Sequence, residues 1–290
     1  MARTLPLAAL MSRGTRQLRL TGRGLGNLLR GPQRGGRVFG VGAAKTGTHT
    51  IGEMFADRVP SAHELDAERL IRLVLDDGPG SPALRRHLLW RDRWRGLQID
   101  ASQVNIYLIP DLLTLFPEAR FILTVRPPAL WLRSIVDDSL RRDTSAIWHR
   151  FRDFRFGAQA SAQGPESVLA KAGLYTIDGY LSYWARAVTE VTTRVPHEAL
   201  LILPTGDIGA RAADIARFAR VPDPDRPPVQ THAFGNPVRS GVLAQLPPAY
   251  LAGRIEAVAG PVARAVLPGW TVEADLATAL ADPPPPGQAR

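Results

Sequence analysis

Residues 45–50, Lys-Thr-Gly-Thr-His-Thr, put one cation, three hydroxyls and a glycine into six consecutive positions. That combination suits a phosphate- or sulfate-like anion: Lys supplies charge, the hydroxyls donate hydrogen bonds, and Gly lets the backbone approach closely. Val38, Phe39 and Val41 form a short apolar run ahead of it, and Ile51, Met54 and Phe55 follow at helical spacing. The order predicts a buried strand, a loop punctuated by Gly40, Gly42 and Gly47, and a helix starting near Gly47 or Thr48. Backbone N–H groups and the dipole at such a start favour an anion. The spacing is not that of a Walker A loop: the two positions that would need glycine hold Ala44 and Phe39, and the glycine follows the lysine.

A second basic position stands at the end of another predicted strand. Phe121–Val125 is apolar except for Thr124, as in a strand buried on both faces. Arg126 closes it, Pro127-Pro128 opens a helix, and Ser134 lies eight residues beyond the arginine. Ligands of open parallel sheets bind beyond the carboxyl ends of the strands, which places Arg126 on the same rim as Lys45. An arginine can grip a phosphate through two parallel hydrogen bonds, to which Ser134 adds a donor. The competing use of Arg126 is an ion pair with Asp137 or Asp138.

The elements that must position these residues alternate. A helix is expected over 48–58, and a turn at 59–62 leads to His63-Glu64-Leu65-Asp66. A helix through Leu70 and Val74 stops at 76–80, and Ser81-Pro82 caps another reaching about Arg93. Leu97–Ile99 reads as a short strand ending in Asp100-Ala101-Ser102. A helix broken by Pro110 follows, then the strand and helix around Arg126. Trp148, Phe151, Phe154 and Phe156 belong to a cover over a substrate or to a helix with inward aromatics. A long helix over 174–194, a strand at 199–203 with Pro204–Asp207 capping the next helix, and a helix over 251–266 complete the pattern. Trp90 and Trp94 read as packing residues.

The chain has 290 residues, enough for one large α/β domain. It has no cysteine, which excludes disulfides, thiolate metal sites and cysteine nucleophiles. The net charge of +9 is local: nine basic residues and no acid precede Glu53, and the other 27 basic residues match the 27 acidic ones. A nucleic-acid enzyme would carry its basic face on the folded body. The division expected is a basic, disordered arm over 1–36, a catalytic domain over 37–280 and a Pro-rich disordered tail over 281–290. The Leu5–Met11 run is short and followed by arginines where a secretory signal needs a cleavage site. No run reaches the length of a membrane span. The expected compartment is the cytoplasm, with an organellar transit peptide or contact with an anionic membrane surface left open for the arm.

The order Lys45-Thr46-Gly47-Thr48, joined with the strand-ending Arg126 and the later Ser134, resembles the sulfotransferases that use PAPS (3′-phosphoadenosine 5′-phosphosulfate). The resemblance runs over about residues 37–270. It implies a three-layer α/β sandwich whose central parallel sheet is flanked by helices, P-loop nucleotide-kinase-like. It implies that Ala44, Lys45, Thr46, Gly47, Thr48, His49 and Thr50 hold the 5′-phosphosulfate, and that Arg126 and Ser134 hold the 3′-phosphate. Arg239-Ser240-Gly241 partly matches a late Arg-Lys-Gly contact to that phosphate, so Arg239 joins them. Lys45 would stabilise charge on the bridging oxygen during direct transfer, with no metal required. Relatives acting on sugars or tyrosines place a basic glutamate after the first helix, where Glu64 stands. The small-molecule branch uses a histidine after the second strand, where this chain has Asp100. The candidates for the base are therefore Glu64, then His63, then Asp100. Thr50 occupies a place where many relatives stack an aromatic on adenine. The acceptor expected is a hydroxyl or amine of a small molecule or carbohydrate. The alternatives are an ATP-dependent phosphotransferase and a non-enzymatic, nucleotide-dependent adaptor.

Overall fold

Five strands run in the same direction, and their side chains feed two large apolar cores and a small cluster of Ala62, Leu65 and Leu97. The computed structural model describes residues 24–141, 144–229 and 239–281. A helical segment over residues 24–30 (α1) leads to β1 (Val38–Gly40), α2 (Thr48–Glu53), β2 (Ser61–His63), α3 (Ala67–Arg72) and α4 (Pro82–Arg95). Next come β3 (Ile99–Ala101), a 3-10 turn (Gln103–Leu108), α5 (Ile109–Leu115), β4 (Arg120–Val125), α6 (Pro128–Arg141), α7 (Ala146–Phe156), α8 (Ser167–Lys171) and α9 (Ile177–Arg194). The chain then forms β5 (Leu200–Pro204), α10 (Ala212–Phe218), α11 (Pro248–Val258), α12 (Gly260–Val266) and α13 (Val272–Leu280).

The sheet order is β2-β3-β1-β4-β5, parallel throughout. Alternation along each strand divides its residues between two faces. Phe39, Phe121, Leu123 and Val125 enter one core with Leu112, Trp131 and Trp184. Val38, Ile99, Ala101, Ile122 and Leu203 enter the other with Ile51, Phe55 and Ile215. Helices therefore cover both faces, and the layers are the three expected. No helix among the described residues is long and apolar enough to cross a membrane.

Several local expectations change. The turn expected before His63 is in fact an edge strand: Ser61, Ala62 and His63 pair with Ile99, Asp100 and Ala101. Three residues with one apolar side chain leave no pattern to read. The helix expected over 48–58 ends at Glu53. It continues as tighter turns, with Ala56 N–H donating to Glu53 and Arg58 N–H to Phe55. The helix expected over 251–266 is two, because Pro261 at the start of α12 lacks an amide hydrogen for the preceding turn.

The arm expected over 1–36 lies outside the described residues only as far as residue 23. From residue 24 onward the chain packs on α4. Asn27 donates to the Trp94 carbonyl at 3.0 Å, and Arg34 reaches the Asp92 carboxylate at 2.7 Å. Trp94 covers Gly24 so closely that a Cβ there would lie 2.4 Å from the indole ring. Of the expected tail, residues 282–290 lie outside the described residues.

Candidate active site

The loop between β1 and α2 is shaped by hydrogen bonds that run inward. Val41 N–H extends the ladder to the Ile122 carbonyl at 3.0 Å. The Thr46 hydroxyl donates to the Ala43 carbonyl at 2.7 Å and lies 2.8 Å from the Thr124 hydroxyl. A Cβ on Gly42 would sit 2.0 Å from that Thr124 oxygen, so only glycine fits. Gly47 takes a positive φ of 106° and Lys45 one of 67°. The second value is uncommon for a residue with a side chain and marks a loop held by its surroundings.

Those surroundings lie in segments read from the sequence only as two helices and a helix cap. Trp131 of α6 donates its indole N–H to the Ala44 carbonyl at 2.7 Å. Trp184 of α9 donates to the Arg126 carbonyl at 3.0 Å. Thr205, after β5, donates to the carbonyls of Thr46 at 2.6 Å and Val125 at 3.0 Å. Thr205 thus fastens the tip of the loop and the end of β4 together, while α6 holds the loop and α9 the strand end. The polar edges of Trp131 and Trp184 could have been noticed, because a buried indole N–H seeks an acceptor. Which acceptor it finds is a tertiary matter.

Lys45 and Arg126 meet. The Arg126 guanidinium donates to the Lys45 main-chain carbonyl at 3.3 Å. The Lys45 ammonium lies 3.1 Å from Asp138, which Arg141 also approaches at 3.3 Å. Asp137 accepts from the amide and hydroxyl of Ser240. Asp137 and Asp138 are therefore engaged elsewhere, and no described carboxylate lies within ion-pair distance of Arg126; Asp275 attracts it from further away. Burial, with Arg133 adding repulsion, holds its pKa below the usual arginine value. Ser134 is buried on α6 directly after Arg133. Arg239 is close enough to lower the pKa of Arg133, after burial, which is the larger cause. Three arginines therefore gather at one end of α6, of which Arg133 was not anticipated: its signal was its place beside Ser134.

The base candidates separate clearly. Thr48 lies 3.2 Å from His63 Nε2, and the His49 ring is 4.8 Å from that of His63, so the end of β2 leans on the loop. Glu64 follows in the left-handed region, φ 53°, with its amide on the Ala101 carbonyl at 2.9 Å. Its carboxylate is 4.0 Å from His63 Nε2 and accepts from Gln103 at 2.5 Å. Asp100 is different: both of its oxygens are bound by the buried Arg91, one at 3.0 Å. A carboxylate committed to a buried guanidinium is a poor proton acceptor, and Asp100 drops out as a base candidate. Thr46 likewise spends its hydroxyl, and its amide at 3.3 Å, on Ala43, while Thr50 is buried within α2. A shallow depression lies near the start of β1, lined by Arg37, Arg91, Asp92 and Phe116. It touches none of the loop residues.

The strand order, the glycine-containing loop from β1 into α2 and the cations gathered along one rim define a P-loop-like α/β protein. The family described as the sulfotransferase domain matches residues 37–229, more than half of the chain, and the chain belongs to it. Among solved structures it is similar to a sulfotransferase from Alicyclobacillus acidocaldarius, at 15% identity and a TM-score of 0.45, over 84% of this chain and 95% of that one. A sulfotransferase from Mycobacterium tuberculosis H37Rv is similar at 14% identity and a TM-score of 0.46, over 84% and 81%. The sulfotransferase domain from the curacin biosynthetic pathway shows 11% identity and a TM-score of 0.40, over 84% and 95%. A comparison with curated proteins finds no match.

Proposed function

We propose that this sulfotransferase takes its sulfuryl group from PAPS and delivers it to a hydroxyl or amine of a small molecule or carbohydrate. The observation that carries the reading is Arg126: a desolvated cation with no described carboxylate within ion-pair distance, attracted by Asp275 only from further away, and touching the backbone of Lys45. Burying a charge without an ion-pair partner costs several kcal/mol. A dianionic 3′-phosphate on Arg126, with Ser134, Arg133 and Arg239 around it, offsets that cost. The 5′-phosphosulfate then lies along Ala44, Lys45, Gly47, Thr48 and His49, with Thr46 and Thr50 serving as loop and helix framework.

In the reaction, the acceptor oxygen or nitrogen attacks sulfur from the side opposite the bridging oxygen. The new bond forms as the S–O bond to the 5′-phosphate breaks, and the electron pair stays on that phosphate. Lys45 leaves Asp138 to meet the charge that develops there, where stabilisation lowers the barrier most. Glu64 receives the acceptor proton, and His63 holds Thr48 and the loop in place.

The test is equilibrium binding followed by turnover. The protein should bind 3′,5′-bisphosphoadenosine without magnesium and prefer it to ATP with magnesium; the reverse preference supports a phosphotransferase and removes this reading. Lys45→Ala should lower sulfuryl transfer at least about a hundredfold, as loss of a transition-state donor does. Glu64→Gln should lower transfer about as far while sparing nucleotide binding.

A further inference from the structure

Glu64 stands at the end of a line of donors that begins on a buried cation in α7. Gln103, the first residue of the 3-10 turn after β3, donates its side-chain amide to Glu64 Oε1. The oxygen of the same amide accepts from the Arg155 guanidinium. Arg155 is buried, with its guanidinium carbon 4.5 Å from the ring centre of Phe151, 4.9 Å from Phe156 and 5.4 Å from Tyr183. Its Nε donates to the Phe151 carbonyl at 3.3 Å, and it makes no ion pair with a described carboxylate.

The chemistry of the three groups leaves one arrangement. Arginine has donors and no acceptor, so it can face only the oxygen of the Gln103 amide. The amide nitrogen must then point away from Arg155, towards Glu64. Glu64 consequently meets a donor that cannot turn round, and the aromatic walls keep that donor's own anchor from moving. The left-handed backbone of Glu64 fits the same picture, because such a conformation persists only where the surroundings over-determine it.

We propose that Gln103 and Arg155 are positioning residues for sulfuryl transfer: they hold the Glu64 carboxylate in the single orientation that receives the acceptor proton. The proposal rests on Glu64 being the base. It also ties α7, whose Phe154 is half exposed beside Tyr107, to the proton-accepting group. A molecule that displaces α7 thereby loosens Glu64.

The experiment uses the full chain and labelled PAPS with three acceptors: water, para-cresol, and para-nitrophenol in mild alkali, where it is already largely ionised. Gln103→Met and Arg155→Met should each slow transfer to water and para-cresol about tenfold, the loss expected for one hydrogen bond to a charged group. Both should leave transfer to para-nitrophenolate, which has no proton to give up, and the affinity for 3′,5′-bisphosphoadenosine unmoved. Arg155→Lys, which keeps a cationic donor, should recover part of the loss. In a Glu64→Gln background, Gln103→Met should cost less than about twofold, because a residue acting through Glu64 has nothing left to act through. If all three acceptors slow together, or if the loss persists in the Glu64→Gln background, Gln103 and Arg155 only hold the fold and the proposal is overturned. If Glu64→Gln itself transfers to water and para-cresol at the parental rate, the base assignment fails, an outcome distinct from an inactive Glu64→Gln beside an unaffected Gln103→Met.

Discussion

Arg126→Met tests the assignment of the nucleotide's far phosphate. Met keeps most of the side-chain volume and removes the guanidinium. Among the described residues the Arg126 guanidinium makes one hydrogen bond, at 3.3 Å to the Lys45 carbonyl, and has no carboxylate within ion-pair distance, Asp275 acting on it from further away. A bound 3′-phosphate would therefore be the nearest anion to the guanidinium and could take a two-point contact from it. Hydrogen bonds to charged groups contribute about 1.5–3 kcal/mol each, so the pair contributes about 3–6 kcal/mol. At about 1.4 kcal/mol per decade, that is about two to four orders of magnitude in Kd. The assay is calorimetric titration with 3′,5′-bisphosphoadenosine and with adenosine 5′-monophosphate, which lacks the phosphate in question. The parent should prefer the bisphosphate strongly, and Arg126→Met should bind the two almost equally. The second ligand also controls for damage to the loop through the Lys45 carbonyl, since such damage weakens both ligands alike. Equal weakening of the two, or an undiminished preference for the bisphosphate, refutes the reasoning.

Other outcomes follow from the same geometry. Gly42→Ala places a methyl 2.0 Å from the Thr124 hydroxyl and 2.4 Å from that of Thr46; it should destabilise the fold by about 3 kcal/mol, read as a lowered Tm, and an unchanged Tm would show that the loop is not packed as described. Trp131→Phe removes the donor on the Ala44 carbonyl and should cost about 1–3 kcal/mol of stability in denaturant titration, with weaker bisphosphate binding; parental values for both would dismiss Trp131 as the clamp of the loop. His87, buried with an unpartnered Nε2, has its pKa lowered to about 4, chiefly by burial and then by Arg69 and Arg91. The folded state therefore holds fewer protons than the unfolded one between that value and 6.5. Stability is full above the upper limit and should fall by about 2–3 kcal/mol as pH drops through the window. His87→Gln should flatten that dependence in thermal melts; an equally steep fall would place its origin elsewhere.

What could be read without coordinates was whatever is encoded between neighbours in the chain. The run from Val38 to Phe55 announces strand, loop and helix because apolar spacing and glycine placement are local. The passage from Phe121 through Arg126 to Ser134 does the same, because a strand-ending arginine before Pro127-Pro128 allows few conformations. Parallel topology then puts both on one rim as a matter of general geometry. The base candidates were not separable in this way: Glu64 follows an edge strand the sequence does not announce, Asp100 lies inside β3, and the position of Arg91 tells them apart.

The rest was decided by contacts between residues far apart in the chain. Lys45 takes Asp138, so Arg126 is left with no described carboxylate within ion-pair distance, and no pattern in either stretch foretells that division. Residues 24–36 look like the remainder of a basic arm until Asp92 and Trp94 give Arg34 and Asn27 their partners. Gln103 and Arg155 carry no motif at all; they matter because α7 brings a buried guanidinium against the turn that follows β3. Composition and spacing specify which segments form and what they could bind. The pairing of charges depends on which side chains the packed elements deliver to one another, and a buried charge has few neighbours from which to choose.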